Sequence, residues 1–328
     1  MQNPDIDLGE HGIWTAALDF VPSAQARERA AEIEELGFGT LWIPETVFRD
    51  VLIEATMLLE ATSGMKVATG IANRYARDAL TTNAAMQTLN EAYPGRFLLG
   101  LGASHGHLVA GVRKHRYERP YSGMVEYLDA MQNALFMSPK GEPPAQMVLA
   151  ALGPRMLRLS AERTAGAHTY FVPPDHTAIA RETLGPEPLL AVEQMVVFDD
   201  NAESARATAR AHMAIYLGLP NYINNLKRLG FTEDEITKDG GSDRLVDAIV
   251  AWGDETAVLA RLQAHHDAGA DHVCTQVLES NPSAVPSGGG NAWPTRSACV
   301  DAASSGAHVA CAHGALWPLR SGWSSDAL

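Results

Sequence analysis

The sequence predicts an α/β protein that forms a closed (β/α)8 TIM barrel, and three observations favour this fold class. Eight short apolar segments alternate with segments of helical period, and each one except the last is followed by a helix. The apolar segments are hydrophobic nearly throughout, as in parallel strands that helices cover from outside. Such units make right-handed crossovers between parallel strands, and eight of them suit a closed barrel better than an open, doubly wound sheet.

The first half of the chain supplies four strands, each followed by a helix. The first helix begins after Pro22 and ends at Gly37, and both residue types are typical of those positions. The third helix ends before the turn Tyr93-Pro94-Gly95, because proline and glycine interrupt a helical pattern. The predicted strands are 11–20, 39–45, 65–73 and 96–104, and the predicted helices are 23–36, 50–63, 79–92 and 122–135.

The second half repeats the alternation with one addition. Pro154 opens the fifth helix, where a missing amide proton costs nothing. Residues 220–251 add helical sequence that a single crossover does not need, so we expect a helical insertion around strand seven. The remaining strands are 145–153, 166–172, 188–198 and 271–279, and their helices are 154–164, 175–184, 201–218 and 254–268.

The predicted barrel forms one catalytic domain over residues 1–285. Residues 286–328 have a different amino-acid composition. This tail has no strand or helix period and is rich in Ala, Ser and Gly, yet it holds three of the six tryptophans. We expect it to be disordered, or to be the product of a shifted reading frame. A partner-binding or metal-binding tail that uses His308, Cys311 and His313 is the less favoured alternative, because their spacing fits no known metal site.

The bulk composition excludes several classes of function. With a net charge of −14, the chain lacks the basic balance that nucleic-acid binding requires. We expect no membrane span, because no run of about 18 apolar residues occurs. The polar, acidic N-terminus does not resemble a secretory signal, and the three cysteines are too few and too far apart for a disulfide framework or a zinc site. The expected protein is therefore reduced and cytoplasmic, with no metal.

The third predicted strand contains a glycine that calls for an explanation. In VATGIANRY (67–75), Gly70 interrupts a buried apolar run, and the strand ends in polar Asn73. A glycine inside a strand weakens packing, so it often marks a bulge or the close approach of another group. The alternative is an ordinary core strand that tolerates the glycine.

Two loops that follow strands carry candidate binding groups. The loop GLGASHG (100–106) is glycine-rich, and its amides could contact phosphates or ring carbonyls, but the pattern alone favours a simple tight turn. In ALGPRML (151–157) a strand runs into a helix N-terminus, which attracts anions through free amides and the helix dipole. Arg155 adds a positive charge there, unless it is simply a solvated helix residue.

Six segments together resemble the bacterial luciferase-like monooxygenase superfamily, and more narrowly its actinobacterial coenzyme F420-dependent oxidoreductases. The resemblance covers about residues 9–280 in the expected order. The segments are HGIWT, ELGFGTLWIPE, VATGIAN, LNEAYPGRFLLGLGASH, LAALGPRMLRLSAERTAGAH and AGADHVCTQVL. The tail departs from the pattern, because the family has a last helix there.

The resemblance implies a barrel with an insertion near strand seven and a flavin or F420 at its C-terminal mouth. Many F420-using members have a non-prolyl cis peptide in a bulge of strand three, which falls here on Gly70-Ile71. The family places the cofactor phosphate at the start of the fifth helix. The implied cofactor-binding residues are Gly70, Ile71, Ala72, Asn73, Gly102, Ala103, Ser104, Leu152, Gly153, Pro154, Arg155 and Met156.

The resemblance also names the candidates for catalysis. Glu45 ends strand two at a position where the family has an acidic residue, and His105 is the best candidate for proton transfer, because imidazole titrates near neutral pH. The F420-dependent glucose-6-phosphate dehydrogenases have an Asp-His pair where this chain has Glu45-Thr46, which argues against sugar-phosphate oxidation. Trp14 and Tyr170 could line the substrate, or they could be core residues.

The leading hypothesis is therefore an F420-dependent oxidoreductase, which moves a hydride between C5 of the deazaflavin and a small organic substrate. The first alternative is an FMN-dependent monooxygenase that uses reduced flavin and O₂. The second is a defective or non-catalytic relative. Members of the family often form dimers, so a homodimer is also possible.

Overall fold

All eight predicted strands occur in the computed structural model, which describes residues 6–278, and two further short strands accompany them. The third strand is divided in two, and another short strand lies outside the barrel. In chain order the strands are β1 His11–Trp14, β2 Thr40–Ile43, β3 Lys66–Thr69, β4 Ala72–Asn73, β5 Phe97–Gly102, β6 Gln146–Ala150, β7 Gly166–Thr169, β8 Leu189–Val197, β9 Val250–Trp252 and β10 His272–Val277.

The strands close into a barrel with purely parallel pairing. The order β1-β2-β3-β5-β6-β7-β8 follows the chain, and β10 then pairs with both β8 and β1. At the closure His272 pairs with Ala191 and Val273 with His11. The predicted (β/α)8 fold is thereby confirmed, and the carboxyl ends of all eight strands meet at one mouth.

Helices cover the outside of the barrel. They are α1 Ser23–Glu35, α2 Val51–Ala61, α3 Ala79–Ala92, α4 Pro120–Gln132, α5 Pro154–Arg163, α6 Pro174–Leu184, α7 Ala202–Tyr216, α8 Pro220–Arg228, α9 Asp243–Ile249 and α10 Glu255–Asp267. Asp50, Asp78 and Asn201 cap three of them by accepting hydrogen bonds from amides of the first turn. Within residues 6–278 no helix is long and apolar enough to cross a membrane.

The predicted insertion around strand seven is present between β8 and α10. It consists of α8, α9 and β9, and β9 extends the sheet by pairing in parallel with the end of β8, where Met195 faces Val250. The sequence pattern did not reveal β9, because a three-residue strand is too short for its period to be recognised.

Several predicted strands are longer than the observed strands, and three differences lie near the mouth. The first strand ends at Trp14 instead of residue 20, because Thr15 Oγ1 accepts a hydrogen bond from the Ala17 amide (3.0 Å) and a 3-10 turn, Ala17–Phe20, follows. The third strand breaks at residues 70–71, and a π-helix over His107–Val112 was not predicted. The tail 286–328 lies outside the described residues, so the predicted domain boundary near residue 285 stays a prediction.

Three aromatic rings fill the barrel beneath the mouth. The Trp42 indole stacks on His168 with ring centroids 4.3 Å apart, and its Nε1 donates to His272 Nε2 (3.0 Å). His272 Nδ1 in turn donates to the Gly9 carbonyl oxygen (2.7 Å). Burial lowers the pKa of His168 to about 4 and that of His272 to about 3, so both rings are neutral near pH 7. These three rings therefore pack the barrel interior beneath its mouth.

Candidate active site

The divided third strand is the main irregularity of the mouth. β3 stops at Thr69 and β4 resumes at Ala72, and the Gly70-Ile71 peptide between them is cis. The neighbouring strand follows this deviation, because Gly70 N donates to Ile43 O (2.7 Å) and Glu45 N donates to Ile71 O (3.2 Å). The bulge is therefore held in place by the sheet and is not a loose loop.

The group that approaches Gly70 from within the barrel is the indole of Trp14. Its Nε1 donates a hydrogen bond to the Gly70 carbonyl oxygen (3.0 Å). A Cβ atom at position 70 would lie 2.6 Å from the same nitrogen, so any side chain there would displace the indole. Trp14 is buried. It therefore supports the bulge from below, a role that the sequence did not indicate.

Two glycines of β5 make room for the bulge from the other side. A Cβ atom at Gly100 would lie 1.9 Å from Thr69 O, and one at Gly102 would lie 2.5 Å from Ile71 Cδ1. Gly100 and Gly102 were expected in a loop after strand four, but they lie within that strand, here β5, and have a packing function. Gly102 remains at the mouth, where the family resemblance places the cofactor.

The Glu45 carboxylate braces the strand beyond the bulge. It is buried, its Oε2 accepts from Asn73 N (2.7 Å), and both of its oxygens accept from Arg77 (2.9 and 2.7 Å). Arg77 also reaches Asp50 at 2.6 Å. Burial opposes the charged form of Arg77, but the hydrogen bonds and charges of Glu45 and Asp50 raise its pKa above the ordinary value. Glu45 is thus fully engaged in an ion pair, which suits a positioning role better than proton transfer.

The segment after β5 brings His105 to the mouth. Ser104 has a left-handed backbone (φ 56°), and its carbonyl oxygen accepts a hydrogen bond from Tyr117 Oη (3.0 Å). His105 Nδ1 lies 3.2 Å from Asn221 Oδ1 of the insertion helix α8. Because an amide oxygen only accepts, Nδ1 carries the proton and Nε2 keeps a lone pair. Burial lowers the pKa of His105, so the neutral imidazole is the form present near pH 7.

The start of α5 combines a helix N-terminus with two arginines. Gly153 is the N-cap residue, and Arg155 lies over the ring of Tyr121 with 4.0 Å between the guanidinium carbon and the ring centroid. Arg228 comes from α8, and its Nη2 would lie 3.5 Å from a Cβ atom at Gly153. Within residues 6–278 neither arginine has a carboxylate partner. The sequence indicated Arg155 but not Arg228, because only the fold of the insertion brings Arg228 to α5.

Aromatic side chains form one wall of the mouth. Tyr170 packs against Trp14 with ring centroids 5.2 Å apart, and its hydroxyl lies 2.7 Å from Tyr216 Oη. The Tyr170 hydroxyl also donates to Gln276 Oε1 (2.8 Å), and Tyr222 of α8 lies beside the same rings. Trp14 and Tyr170, the two predicted substrate residues, are thus in contact with each other.

A buried carboxyl group supports this wall. Glu193 Oε2 accepts from the amide of Phe171 (3.1 Å), whose backbone is left-handed with φ 61°. Glu193 Oε1 is buried and has no hydrogen-bond partner within the described chain. Burial raises the pKa of Glu193 to about 8, so the side chain is largely protonated at neutral pH. This residue was not identified from the sequence, because a glutamate in an apolar strand does not indicate which way it faces.

Comparisons with known proteins agree with this architecture. A protein of Mycobacterium tuberculosis named as a coenzyme F420-dependent oxidoreductase is 24% identical over 320 residues, which cover 79% of this chain and 91% of the relative. Among solved structures, an F420-dependent secondary alcohol dehydrogenase in complex with an F420-acetone adduct superposes with a TM-score of 0.67 at 14% identity, over 84% of this chain and 94% of that one.

A flavin enzyme shares the same fold. The oxygenating component of 3,6-diketocamphane monooxygenase from Pseudomonas putida, in complex with FMN, gives a TM-score of 0.61 at 15% identity, over 82% of this chain and 92% of that one. The family model for luciferase-like monooxygenases matches residues 8–272, which is most of the chain. The chain therefore belongs to the luciferase-like monooxygenase family of enzymes.

Proposed function

We propose that this protein is a coenzyme F420-dependent oxidoreductase that transfers a hydride between the cofactor and a small organic substrate. The observation that carries the proposal is the bulge at Gly70-Ile71, because it brings backbone into the barrel mouth where a planar ring can lie against it. Trp14 supports the bulge from below, and Gly100 and Gly102 accommodate it. Such a surface supports one face of a ring and leaves the other face open to substrate.

The residues at the start of α5 fit the other end of this cofactor, which carries a phosphate. Backbone amides at a helix N-terminus and the positive end of the dipole favour an anion. Arg155 and Arg228 supply two guanidinium groups with no carboxylate partner within the described chain, and Asn225 Nδ2 is a buried donor without a partner. We assign the predicted segment Leu152 to Met156, together with Arg228, to phosphate binding.

The cofactor supplies the hydride chemistry when it is bound. The chain then has to bind the substrate, exclude water, and accept or donate one proton. We assign the proton to His105, because its Nδ1–H is held by Asn221 and its Nε2 can accept a proton released by an alcohol that is oxidised. We assign Tyr170 to the aromatic wall that would keep water from the reacting atoms, and Trp14, beneath the bulge, packs against its ring.

We assign Glu45 to positioning instead of proton transfer. Its carboxylate binds Asn73 N and Arg77 at once, and its amide binds Ile71 O. These bonds hold the C-terminal side of the bulge, while the amide of Gly70 on its N-terminal side is held by Ile43 O. We assign Ala103 and Ser104, which directly follow β5, to the same surface. The Ala72 side chain is buried in the hydrophobic core, so this residue can contribute only its backbone.

A pair of fluorescence titrations tests the proposal against the FMN alternative. Purified protein is titrated with F420 and, separately, with FMN. Tighter binding of F420 supports the proposal, whereas tighter binding of FMN favours a monooxygenase that uses reduced flavin and O₂. Protein that is folded by circular dichroism and binds neither compound would favour the defective relative. The homodimer stays a prediction, which sedimentation equilibrium can test.

A further inference from the structure

A cavity lies beside the bulge, on the side of β2. Its volume is about 370 Å³, and it is formed by residues 45–50, 76–77 and 112–113. This volume falls within the range of small-molecule pockets, about 300–1,000 Å³. Glu45 lines the cavity, and the same residue binds Ile71 O and Asn73 N. Only the side chain of Glu45 would therefore separate a molecule in the cavity from the strand that carries the proposed cofactor surface.

One arginine of this cavity has no acidic partner. Arg77 is paired with Glu45 and Asp50, and Arg49 lies 3.5 Å from Glu54 Oε1. Within the described chain the Arg113 side chain makes one long hydrogen bond, from Nη2 to the carbonyl oxygen of Thr46 (3.3 Å). Among residues 6–278 no carboxylate lies within 4.0 Å of its guanidinium group. Arg113 therefore offers most of its donors to a ligand.

The hydroxyl of Thr46 is a second unsatisfied group at the same place. Thr46 Oγ1 is buried and has no hydrogen-bond partner in the described chain, while the carbonyl oxygen of the same residue holds Arg113. A buried hydroxyl without a partner costs free energy, which a polar ligand atom can recover. The guanidinium and the hydroxyl together suit a carboxylate, because arginine binds this group through two parallel hydrogen bonds.

The rim of the cavity is apolar and open to solvent. Val47, Phe48 and Val112 are 56%, 48% and 54% exposed, although large apolar side chains are usually buried. Phe48 also packs edge-on against Phe20, with ring centroids 4.7 Å apart and Phe20 itself 49% exposed. A ligand that covers these side chains would remove apolar surface from water.

We propose that this cavity binds the carboxylate of an amphiphilic organic acid, with the acid group on Arg113 and Thr46 and the apolar body on Val47, Phe48 and Val112. This inference rests on the proposed function in one respect. If the protein is the proposed oxidoreductase, the acid represents the class of substrate that reacts at the neighbouring barrel mouth. The same carboxylate chemistry could also come from the acidic glutamyl tail of F420. The experiment below distinguishes these two sources.

Isothermal titration of the full chain with octanoate provides the test. We expect octanoate to bind and 1-octanol to bind much more weakly. Arg113→Gln should weaken octanoate binding by about tenfold or more, since a charge-assisted hydrogen bond contributes about 1.5–3 kcal/mol. Arg116→Gln is the matched control, because Arg116 is exposed in the same segment and should leave octanoate affinity unchanged. Val112→Ser should lower octanoate affinity several-fold through lost apolar contact.

Parallel titrations with F420, and with its deazaflavin chromophore lacking the phosphate and glutamyl tail, identify the source of the carboxylate. If Arg113→Gln weakens binding of F420 alone and leaves octanoate unaffected, the cavity holds the cofactor tail and the proposed acid class is wrong. Absence of octanoate binding, or equal octanoate affinity of Arg113→Gln and wild type, would also overturn it. If wild type binds octanoate through Arg113 but does not bind F420, the acid site stands and the proposed cofactor fails. Thermal melting establishes that each variant is folded.

Discussion

The indole Nε1 of Trp14 donates a hydrogen bond to the carbonyl oxygen of Gly70 at 3.0 Å, and this contact joins the first and third strands of the barrel at its mouth. It places a rigid aromatic ring directly under the bulge. The glycine and the tryptophan therefore form one unit, since a side chain at position 70 and an indole at position 14 cannot occupy the same space.

The first prediction concerns Gly70→Ala. The new Cβ atom would lie 2.6 Å from Trp14 Nε1, so either the indole or the bulge must move. We expect the free energy of unfolding to fall by about 1–3 kcal/mol, as in other overpacked interiors. F420 affinity should fall about tenfold or more, which corresponds to about 1.4 kcal/mol of binding free energy. Chemical denaturation and fluorescence titration measure the two effects.

Gly64→Ala is the matched control for this variant. A Cβ atom at Gly64 would meet its nearest neighbour, Glu34 Oε1, at 3.7 Å, which is ordinary contact. This variant should keep wild-type F420 affinity. Wild-type F420 affinity in Gly70→Ala as well would show that the bulge does not form the cofactor surface.

The second prediction concerns Glu45→Gln, which removes the charge but preserves the shape. The amide oxygen can still accept from Asn73 N, but the ion pair with Arg77 is lost. Since both side chains are nearly buried, we expect the free energy of unfolding to fall by about 3 kcal/mol. Urea denaturation provides the measurement. The exposed pair Arg119–Glu126 supplies the comparison, because Glu126→Gln should cost less than about 1 kcal/mol. Equal losses in the two variants would contradict a bracing role for Glu45.

The third prediction concerns the proposed phosphate site. Arg155→Gln and Arg228→Gln should each weaken F420 binding by about tenfold, because each removes a charge-assisted hydrogen bond of about 1.5–3 kcal/mol. Binding of the deazaflavin chromophore without its phosphate should not change, and this difference separates phosphate contact from general damage. Arg158→Gln, an exposed change on the same helix, is the control. If both ligands weaken equally, the phosphate assignment is wrong.

The fourth prediction concerns the pH dependence of stability through Glu193. Burial raises its pKa from 4.5 to about 8 in the folded protein. The folded state therefore binds more protons than the unfolded state between these values, and the stability that the residue contributes is present below pH 4.5 and lost as the pH rises to 8. The glutamine in Glu193→Gln cannot ionise. The free energy of unfolding of this variant, relative to wild type, should therefore rise as the pH increases from 4.5 to 8. The slope is at most about 1.4 kcal/mol per pH unit.

Denaturant unfolding at several pH values tests this expectation. A constant difference between Glu193→Gln and wild type from pH 5 to pH 8 would show that Glu193 ionises normally in the folded state.

The fold could be predicted from the sequence because its signal is local and repeated. Each apolar strand and each amphipathic helix carries its own period, and the parallel order follows from the alternation. The family resemblance then located the bulge at Gly70-Ile71, where the structure has a cis peptide. The Pro154 helix start was also visible locally.

The contacts that support the site could not be predicted in this way, because they join distant parts of the chain. Nothing near Glu45 in the sequence indicates that Arg77 will neutralise it, and nothing near Gly153 indicates Arg228 of α8. The glycines of β5 were interpreted as part of a tight turn whose amides could contact a ligand, yet their clearest function is to make room for Thr69 and Ile71. Only the three-dimensional path of the strands shows which neighbour requires each glycine.

A crystal structure of the protein saturated with F420 would show whether the Gly70-Ile71 bulge bears the ring of the cofactor. We expect density for the central deazaflavin ring against the backbone of Gly70-Ile71, with the phosphate at Gly153 and Arg228. Density for the ring elsewhere in the mouth, or crystals that take up FMN but not F420 at this position, would overturn this assignment.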